Sequence, residues 1–297
     1  MKTSTQAHIA VLFTNFFFAT NLSLVKHISP GLLGAYGLNI FRVGGSLLLF
    51  WTLWLLAKNK NGIKKKDIPR FILCGLTGVA INQMLFIKGL TLTSTIHASL
   101  LMLTTPLLIT VSAFWILKEK LTRAKALGLA LGIGGALLLI FSREQQGQAG
   151  LTGDLLIMIN AMSYTVYFII VKPLMQEYPP LHVIRWVFSF GFLLILPFGW
   201  QESMDTAWPL FNWTHYAALF LVVFCGTFLA YSFNIYGIKH LGAGVTGSYI
   251  YTQPVFAAII AALFLNEDFT AAKIISGILI FTGVFLVSRK TPPVVEE

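Results

Sequence analysis

Cysteine and charge are scarce in this chain, and each scarcity excludes a class of protein. Of 297 residues only Cys74 and Cys225 are cysteines, and both lie in apolar runs, so neither a disulfide framework nor a thiolate metal site is indicated. Charged residues make up 11% of the chain and hydrophobic residues 56%. A soluble domain of this length could not bury that much apolar surface around one core. The composition therefore excludes a water-soluble protein.

The net charge of +10 is distributed between apolar runs rather than on one face. Such a distribution is typical of topology signals in membrane proteins, so no nucleic-acid partner is expected. The sequence contains no ATP-binding loop, nucleotide fingerprint or metal-ligand cluster, which predicts no cofactor and no metal. The first apolar run, Ile9 to Val25, has no small-residue cleavage site after it and reads as a spanning helix rather than a removable signal peptide.

Apolar runs of about 20 residues, the length needed to cross a bilayer as a helix, recur along the chain. The predicted fold is all-α, with ten transmembrane helices near 8–26, 32–56, 70–90, 95–117, 123–141, 153–174, 181–200, 214–237, 244–265 and 269–288. Most lysines and arginines fall in alternate loops, notably between Lys58 and Arg70 and between Lys118 and Lys125. By the positive-inside rule both termini are predicted to be cytoplasmic.

An internal repeat divides the chain into two halves. Residues 71–141 match 219–289 at a constant offset of 148, pairing Gly78 with Gly226, Gly89 with Gly237, Thr104 with Thr252, Pro106 with Pro254 and Glu119 with Glu267. Upstream, Lys26 pairs with Lys172 and Arg42 with Arg185 at slightly different offsets. The predicted units are two five-helix repeats, 1–147 and 148–290, and a cytoplasmic tail, 291–297. An odd number of helices per repeat inverts the second copy in the membrane.

The same segments resemble the EamA-type family of the drug/metabolite transporter superfamily. Lys26, Arg42 and three long stretches carry the resemblance: ASLLMLTTPLLITVSAFWILKEKLTRAKALGLALGIGGALLL, GDLLIMINAMSYTVYFIIVKPL and QPVFAAIIAALFLNEDFTAAKIISGILIFTGVFLV. One departure is Phe18-Ala19, where family members usually carry Trp-Gly. The resemblance implies a ten-helix permease of the bacterial inner (plasma) membrane that moves small metabolites outward. It implies a transporter and not an enzyme.

The charges near the predicted spans are of one sign. Lys26, Arg42, Lys88 and Arg185 lie in or near them, whereas the carboxylates Asp154, Glu119 and Glu267 fall at predicted helix ends. Ionisable groups at membrane depth normally face the bundle interior or a water-filled cavity. A cationic interior poor in carboxylates favours a substrate with a carboxylate or phosphate over a lipophilic cation. Snorkelling of these side chains to the interface is the alternative.

The candidate substrate-binding residues are polar side chains within predicted helices: Asn21, Arg42, Asn82, Thr104, Ser163, Tyr164, Arg185, Tyr231, Tyr249 and Gln253. For each of them a hydrogen bond that packs two helices together is the alternative role. Pro106 and Pro254 are candidate hinges, because proline frees a carbonyl and permits a kink; a static bend is equally compatible. His97 is the candidate for proton coupling, with a helix-end hydrogen bond as its alternative.

The predicted function is secondary transport, by an exporter or facilitator, of an amino acid or related carboxylate compound through alternating access. An organic-phosphate or nucleotide-sugar exchanger is an alternative, and would need lysine or arginine from both halves converging on one point; multidrug efflux is another. An intramembrane enzyme would need a Ser-His pair or facing carboxylates, and neither is indicated. A receptor or scaffold stays open. The expected partners are a small-molecule substrate and the lipid bilayer, for a monomer or homodimer.

Overall fold

The computed structural model describes residues 3–56, 62–117, 122–141, 147–241, 245–246, 249–265 and 270–288. Within these ranges the chain is helical and contains no strand, so the predicted all-α class is confirmed. The helices are α1 (Thr3–Ile28), α2 (Ala35–Leu56), α3 (Lys65–Leu92), α4 (Thr95–Met102), α5 (Thr105–Leu117), α6 (Arg123–Phe141), α7 (Gly147–Glu177), α8 (Pro180–Met204), α9 (Trp213–Leu241), α10 (Thr252–Phe264) and α11 (Ala271–Ser288).

The outer surface of the bundle is apolar, as a bilayer requires. Large side chains such as Leu56 (79%), Phe141 (75%) and Phe264 (74%) are exposed, although water would penalise their exposure. Among the described helices, seven are long and apolar enough to cross a membrane, and shorter apolar helices cover 95–109, 249–264 and 271–287. The count of ten spans and the cytoplasmic placement of both termini stay predictions. Glu119 and Glu267 lie outside the described residues.

Two helices that the sequence predicts as continuous are interrupted at equivalent positions. The predicted span 95–117 breaks at Leu103–Thr104, between α4 and α5, and α10 follows a 3-10 turn at Tyr249–Tyr251. Pro106 and Pro254 therefore lie in the first turns of α5 and α10 rather than inside a continuous helix. The first turn accepts proline because its amides have no partner within the helix. Whether either break works as a hinge stays a prediction.

The two halves pack in matching ways. α2 packs on α8 and α6 on α11, each helix against its own repeat equivalent, while α3 packs on α7 as α1 packs on α9. π-helical turns occur at Leu76–Ala80 in α3 and at Phe224–Leu229 in α9, again 148 positions apart. Such a pattern is what two copies of one unit related by a two-fold axis produce.

Glycines show this symmetry residue by residue. A Cβ on Gly78 would collide with Tyr167 of α7, and a Cβ on its equivalent Gly226 would lie 2.5 Å from Oδ1 of Asn21 in α1. Likewise Gly89 faces Ile157, and Gly237 faces Val11. Close helix approach through small residues is the usual packing mode in membranes, because lipid supplies no hydrophobic drive between helices.

The helix ends can be assigned to two sides of the bundle. Lys64, just before α3, pairs with Glu177 at the end of α7, which defines the Lys64 side. α2 and α8 are antiparallel, since the carboxylate of Glu202, near the end of α8, accepts the Tyr36 amide at 2.7 Å. α8 starts on the Lys64 side, so α2 starts on the opposite one. That opposite side, where α4 begins near His97, is the His97 side. α1 leads into α2 and therefore begins on the Lys64 side.

Candidate functional site

A buried arginine lies where α2, α3 and α9 meet. Arg42 is 3% exposed, and its Nε donates to Oγ1 of Thr227 at 2.8 Å. Its guanidinium carbon lies 6.0 Å from the ring centre of Phe86. Among the described residues no carboxylate pairs with it. A buried cation without a counter-ion is costly, so an arginine in this position is unusual.

Amide side chains form a hydrogen-bonded network beside Arg42. Asn160 donates from Nδ2 to the carbonyl of Asn82 at 2.7 Å, and Asn82 donates back to the Asn160 carbonyl at 3.4 Å. Gln83 donates to Oδ1 of Asn82 at 3.0 Å. Asn39, one turn before Arg42, donates to the Gln83 carbonyl at 3.2 Å. The network therefore joins α2, α3 and α7 around the arginine.

Tyr231 marks the pseudo-symmetry axis. Its hydroxyl lies 3.5 Å from Nε2 of Gln83, and residue 231 is the repeat equivalent of residue 83. Two equivalent residues can meet only where the axis passes, so this contact lies at the centre of the repeat pair. The Tyr231 ring packs edge-on against Phe18 and Phe188, with ring centres 5.8 and 5.2 Å apart. Phe18 stands where the family usually has tryptophan, and it contributes an aromatic wall here.

Four buried polar atoms around this centre have no hydrogen-bond partner in the protein: Nη1 of Arg42, Oε1 of Gln83, Oδ1 of Asn39 and Oδ1 of Asn21. The guanidinium nitrogen is a donor, and the three amide oxygens are acceptors. Buried polar groups are normally satisfied, because an unmade hydrogen bond leaves the full desolvation cost. The set offers a donor to an anion and acceptors to an N–H group.

The other predicted site residues lie at differing distances from this network. The rings of Tyr164 and Tyr167 are tilted against each other with their centres 5.6 Å apart. Ser163 donates to the Thr77 carbonyl at 2.7 Å, which ties α7 to α3. Thr104 donates to the Leu101 carbonyl at 2.7 Å, at the break before α5. Gln253 is buried in the first turn of α10. Thr104 also lies 3.6 Å from Sδ of Met158 in α7, a contact between helices, and its substrate role stays a prediction.

Arg185 is separate from Arg42. Its guanidinium carbon lies 4.7 and 4.6 Å from the ring centres of Trp51 and Trp54, and Nη2 lies 3.1 Å from Nδ1 of His182. None of these residues contacts Arg42. The structure does not bring the two arginines to one point, which is the arrangement that a phosphate exchanger would need.

His97 forms a buried pair with a carboxylate on the His97 side. Its Nδ1 lies 3.1 Å from Oδ2 of Asp154, and the Thr93 hydroxyl donates to the other carboxylate oxygen. The sequence placed Asp154 at a helix end, but α7 begins at Gly147, so Asp154 lies two turns inside the helix and is 1% exposed. We call Thr93, His97 and Asp154 the His97 clasp.

A second histidine contact lies on the Lys64 side. His8 of α1 lies 2.8 Å from the Tyr249 hydroxyl, just before α10. The repeat maps α1 onto α7 at an offset of 146, the value for Lys26 and Lys172, so His8 corresponds to Asp154. Tyr249 forms this contact at one end of the bundle, and its substrate-binding role stays a prediction. We call this pair the His8 clasp.

Asn39 and Thr227, beside Arg42, and His8, in the His8 clasp, were not predicted from the sequence. The spacing of Asn39 and Arg42, one helical turn apart, is a signal that could have identified Asn39. Thr227 directly follows the repeat glycine Gly226, which places it at a helix contact. Nothing local in the sequence distinguishes His8. Among the described residues, no group of three histidine, cysteine, aspartate or glutamate side chains could hold a metal.

Comparison with known proteins agrees with this architecture. The sequence model of the EamA-like transporter family matches the chain twice, over residues 5–141 and 151–289. The uncharacterized transporter YetK of Bacillus subtilis is 29% identical over 265 residues, covering 85% of this chain and 79% of YetK. A probable terminal-alkyne amino-acid exporter of Streptantibioticus cattleyicolor is 26% identical over 241 residues, covering 80% of this chain and 79% of that protein.

The fold has also been seen in a crystal structure. A protein of 17% sequence identity superposes with a TM-score of 0.61, covering 96% of this chain and 95% of that chain. Its identity is low, so it supports the fold alone. The two matches to the family model cover nearly the whole sequence and coincide with the two halves found by the internal repeat. The chain belongs to the EamA-like transporter family.

Proposed function

We propose that this transporter is an alternating-access carrier, working as an exporter or facilitator, for an amino acid or a related carboxylate compound. The observation that carries the proposal is the buried guanidinium of Arg42, whose Nη1 has no partner, at the centre of the repeat pair. A substrate carboxylate would complete its hydrogen bonds and neutralise its charge. The name of the Streptantibioticus cattleyicolor relative, a probable amino-acid exporter, supports the same substrate class.

The acceptors near Arg42 suit the other end of an amino acid. Free amide oxygens on Asn39, Gln83 and Asn21 can accept from an ammonium group. Tyr231 and Phe18 supply aromatic surface for the side chain of the substrate. A compound carrying both a carboxylate and an N–H group would satisfy more of these atoms than an inorganic anion, and a lipophilic cation would be repelled by the arginine.

The two clasps supply the gates that alternating access needs. The His97 and His8 clasps lie on opposite sides of the bundle, and His8 is the repeat equivalent of Asp154. In a carrier built from inverted repeats, the motions that open one side and close the other are related by the pseudo-two-fold axis. Breaking the His97 clasp would open one side of the central site, and breaking the His8 clasp would open the other. If the protein lies in a bacterial inner membrane with ten spans and a cytoplasmic amino terminus, the His8 clasp faces the cytoplasm.

Counterflow in proteoliposomes tests the proposal. Vesicles loaded with an unlabelled amino acid should accumulate the labelled one. Arg42→Gln should abolish this accumulation. Arg70→Gln is the control and should retain it, because Arg70 is an exposed cation at the start of α3. The competitor panel pairs each amino acid with its methyl ester, which keeps the ammonium group and removes the anion. We expect the acids to compete and the esters to fail. Equal competition by an ester, or full counterflow in Arg42→Gln, contradicts a carboxylate site at Arg42.

A further inference from the structure

A cavity of about 620 Å³ opens on the Lys64 side, away from the Arg42 network. Its walls come from the end of α2, the segment before α3, the α7–α8 connection and the start of α8. Phe50, Leu53, Trp54 and Leu181 make the walls largely apolar, and Arg185 and Lys64 are the cations that line it. The volume is in the range of sites that hold an organic ligand.

Arg185 is the buried cation of this cavity. It is 3% exposed, its Nε has no hydrogen-bond partner, and none of its contacts in the described chain is a carboxylate. Two indole faces hold the guanidinium at 4.7 and 4.6 Å, which fixes its plane. Arginine held against aromatic faces keeps its N–H groups available for a planar or tetrahedral oxyanion.

Lys64 contributes a second positive charge at the rim. It pairs with Glu177, and the hydrogen bond to that carboxylate raises the pKa of Lys64. Lys66 lies 3.9 Å from the same carboxylate. Two carboxylates lie here, Glu177 and Asp67, and Asp67 accepts the Tyr178 hydroxyl at 2.7 Å; the three cations Lys64, Lys66 and Arg185 outnumber them. The local charge is positive, which favours an anionic ligand.

The surroundings of the cavity distinguish a lipid from a free anion. Leu53 (40%) on the cavity wall and Leu56 (79%) beside it are exposed toward the bilayer. Trp51, Trp54 and Trp186 cluster around Arg185, and tryptophan concentrates where the bilayer meets water. Apolar walls give an inorganic anion no benefit, whereas an amphiphile can place its chains along the leucines and its headgroup at the arginine. Cationic pockets between transmembrane helices are suited to lipid phosphates.

We propose that this cavity binds the phosphate group of an anionic phospholipid, with Arg185 as its principal ligand and the acyl chains lying along the exposed leucines of α2. Its lining residues differ from those of the proposed substrate site, although Phe50 of the cavity wall packs against Phe188, which contacts Tyr231. A lipid held here would bridge α2, α7 and α8.

Native mass spectrometry of the purified transporter, with phosphatidylglycerol or phosphatidylcholine added, tests the site. The wild type should retain phosphatidylglycerol about tenfold better than phosphatidylcholine, from the loss expected for a charge-assisted hydrogen bond. Arg185→Gln should remove that preference, and Arg70→Gln, a matched exposed cation, should keep it. Leu181→Trp, which keeps the arginine and fills the cavity, should also lose the lipid. This variant covers the case in which Arg185→Gln fails to fold.

A second measurement distinguishes a lipid phosphate from free inorganic phosphate. Inorganic phosphate at 10 mM, about the concentration of a phosphate buffer, should leave the bound phosphatidylglycerol in place, because it lacks chains to fill the apolar walls. Displacement of the lipid by phosphate, or a wild type without preference between the two lipids, overturns the proposal. Both readouts are binding measurements. They would stand even if no amino acid were transported, so the two proposals fail separately.

Discussion

The hydroxyl of Thr227 is the most direct test of the Arg42 site, because it orients the arginine without being placed in contact with substrate. Thr227→Val preserves the shape of the side chain and removes the acceptor that Arg42 Nε uses at 2.8 Å. A hydrogen bond to a charged group contributes about 1.5–3 kcal/mol. Since a factor of ten corresponds to about 1.4 kcal/mol, the substrate affinity should fall by roughly 10- to 150-fold if the whole loss falls on binding.

The assay is the half-saturating concentration for amino-acid counterflow. Thr227→Ser retains a hydroxyl and should stay within about twofold of the wild type, less than the loss of one weak hydrogen bond of about 0.5 kcal/mol. Thr20→Val is the matched control, because the Thr20 hydroxyl donates only to its own helix, to the Phe16 carbonyl at 2.9 Å. A half-saturating concentration in Thr227→Val equal to that in Thr20→Val would refute the idea that Arg42 must be held in this orientation to bind substrate.

Two further predictions concern the gates and the helix contacts. With a cysteine reporter at the buried position Ile96, Asp154→Asn should raise labelling by an impermeant maleimide about 2- to 12-fold, the equivalent of one net hydrogen bond. Tyr249→Phe, which weakens the His8 clasp, should lower the labelling of this cysteine. An increase in labelling in both variants would contradict alternating gates. In detergent, Gly283→Ala should lower the melting temperature, because its Cβ would lie 2.5 Å from the Gly128 carbonyl oxygen, and overpacking costs about 1–3 kcal/mol. Gly134→Ala should leave the melting temperature unchanged, because no atom lies within 4 Å of the added Cβ. Equal shifts of the melting temperature in the two variants would show that the α6–α11 contact is not tight.

The repeat was the part of the fold most accessible from sequence. Glycine and proline have few substitutes where helices approach closely or begin, so matched positions such as Gly78 and Gly226 retain the signal after the aliphatic residues have drifted. The contacts of Gly89 with Ile157 and of Gly237 with Val11 show why, since a Cβ at either glycine would collide with the neighbouring helix. Arg42 could be singled out because an ionised group at membrane depth is rare.

The start of α7 could not be predicted from local sequence. Gly147, Gly150 and Gly153 read as a loop, because glycine disfavours helix, and the predicted span accordingly began at 153. The helix nevertheless begins at Gly147, and Gly153 packs so closely on α3 that a Cβ would lie 2.8 Å from the Gly89 carbonyl oxygen. Tertiary packing thus overrides propensity here. The same error placed Asp154 at a helix end, so its burial was not predicted. Its partner His97 lies 57 positions away in sequence.

The hydrogen-bond partners of polar residues in the spans could not be predicted either, because hydrogen bonds between helices leave no local sequence pattern. Asn82 and Gln83 were visible as polar residues in a span, but nothing in the sequence shows that Asn160 and Tyr231 complete their bonds. An amide at membrane depth has the same sequence signature whether it packs two helices or lines a site.

Arg42 and Arg185 pair in the internal repeat, yet the structure gives them different environments. Thr227 supplies the oxygen that holds Arg42 at the centre, whereas Val79, 148 positions earlier, has no acceptor in its side chain and packs against Gly191. Arg185 lies against Trp51 and Trp54 beside the cavity on the Lys64 side. Two arginines that the repeat pairs therefore meet different partners, one at the proposed substrate site and the other at the proposed lipid site.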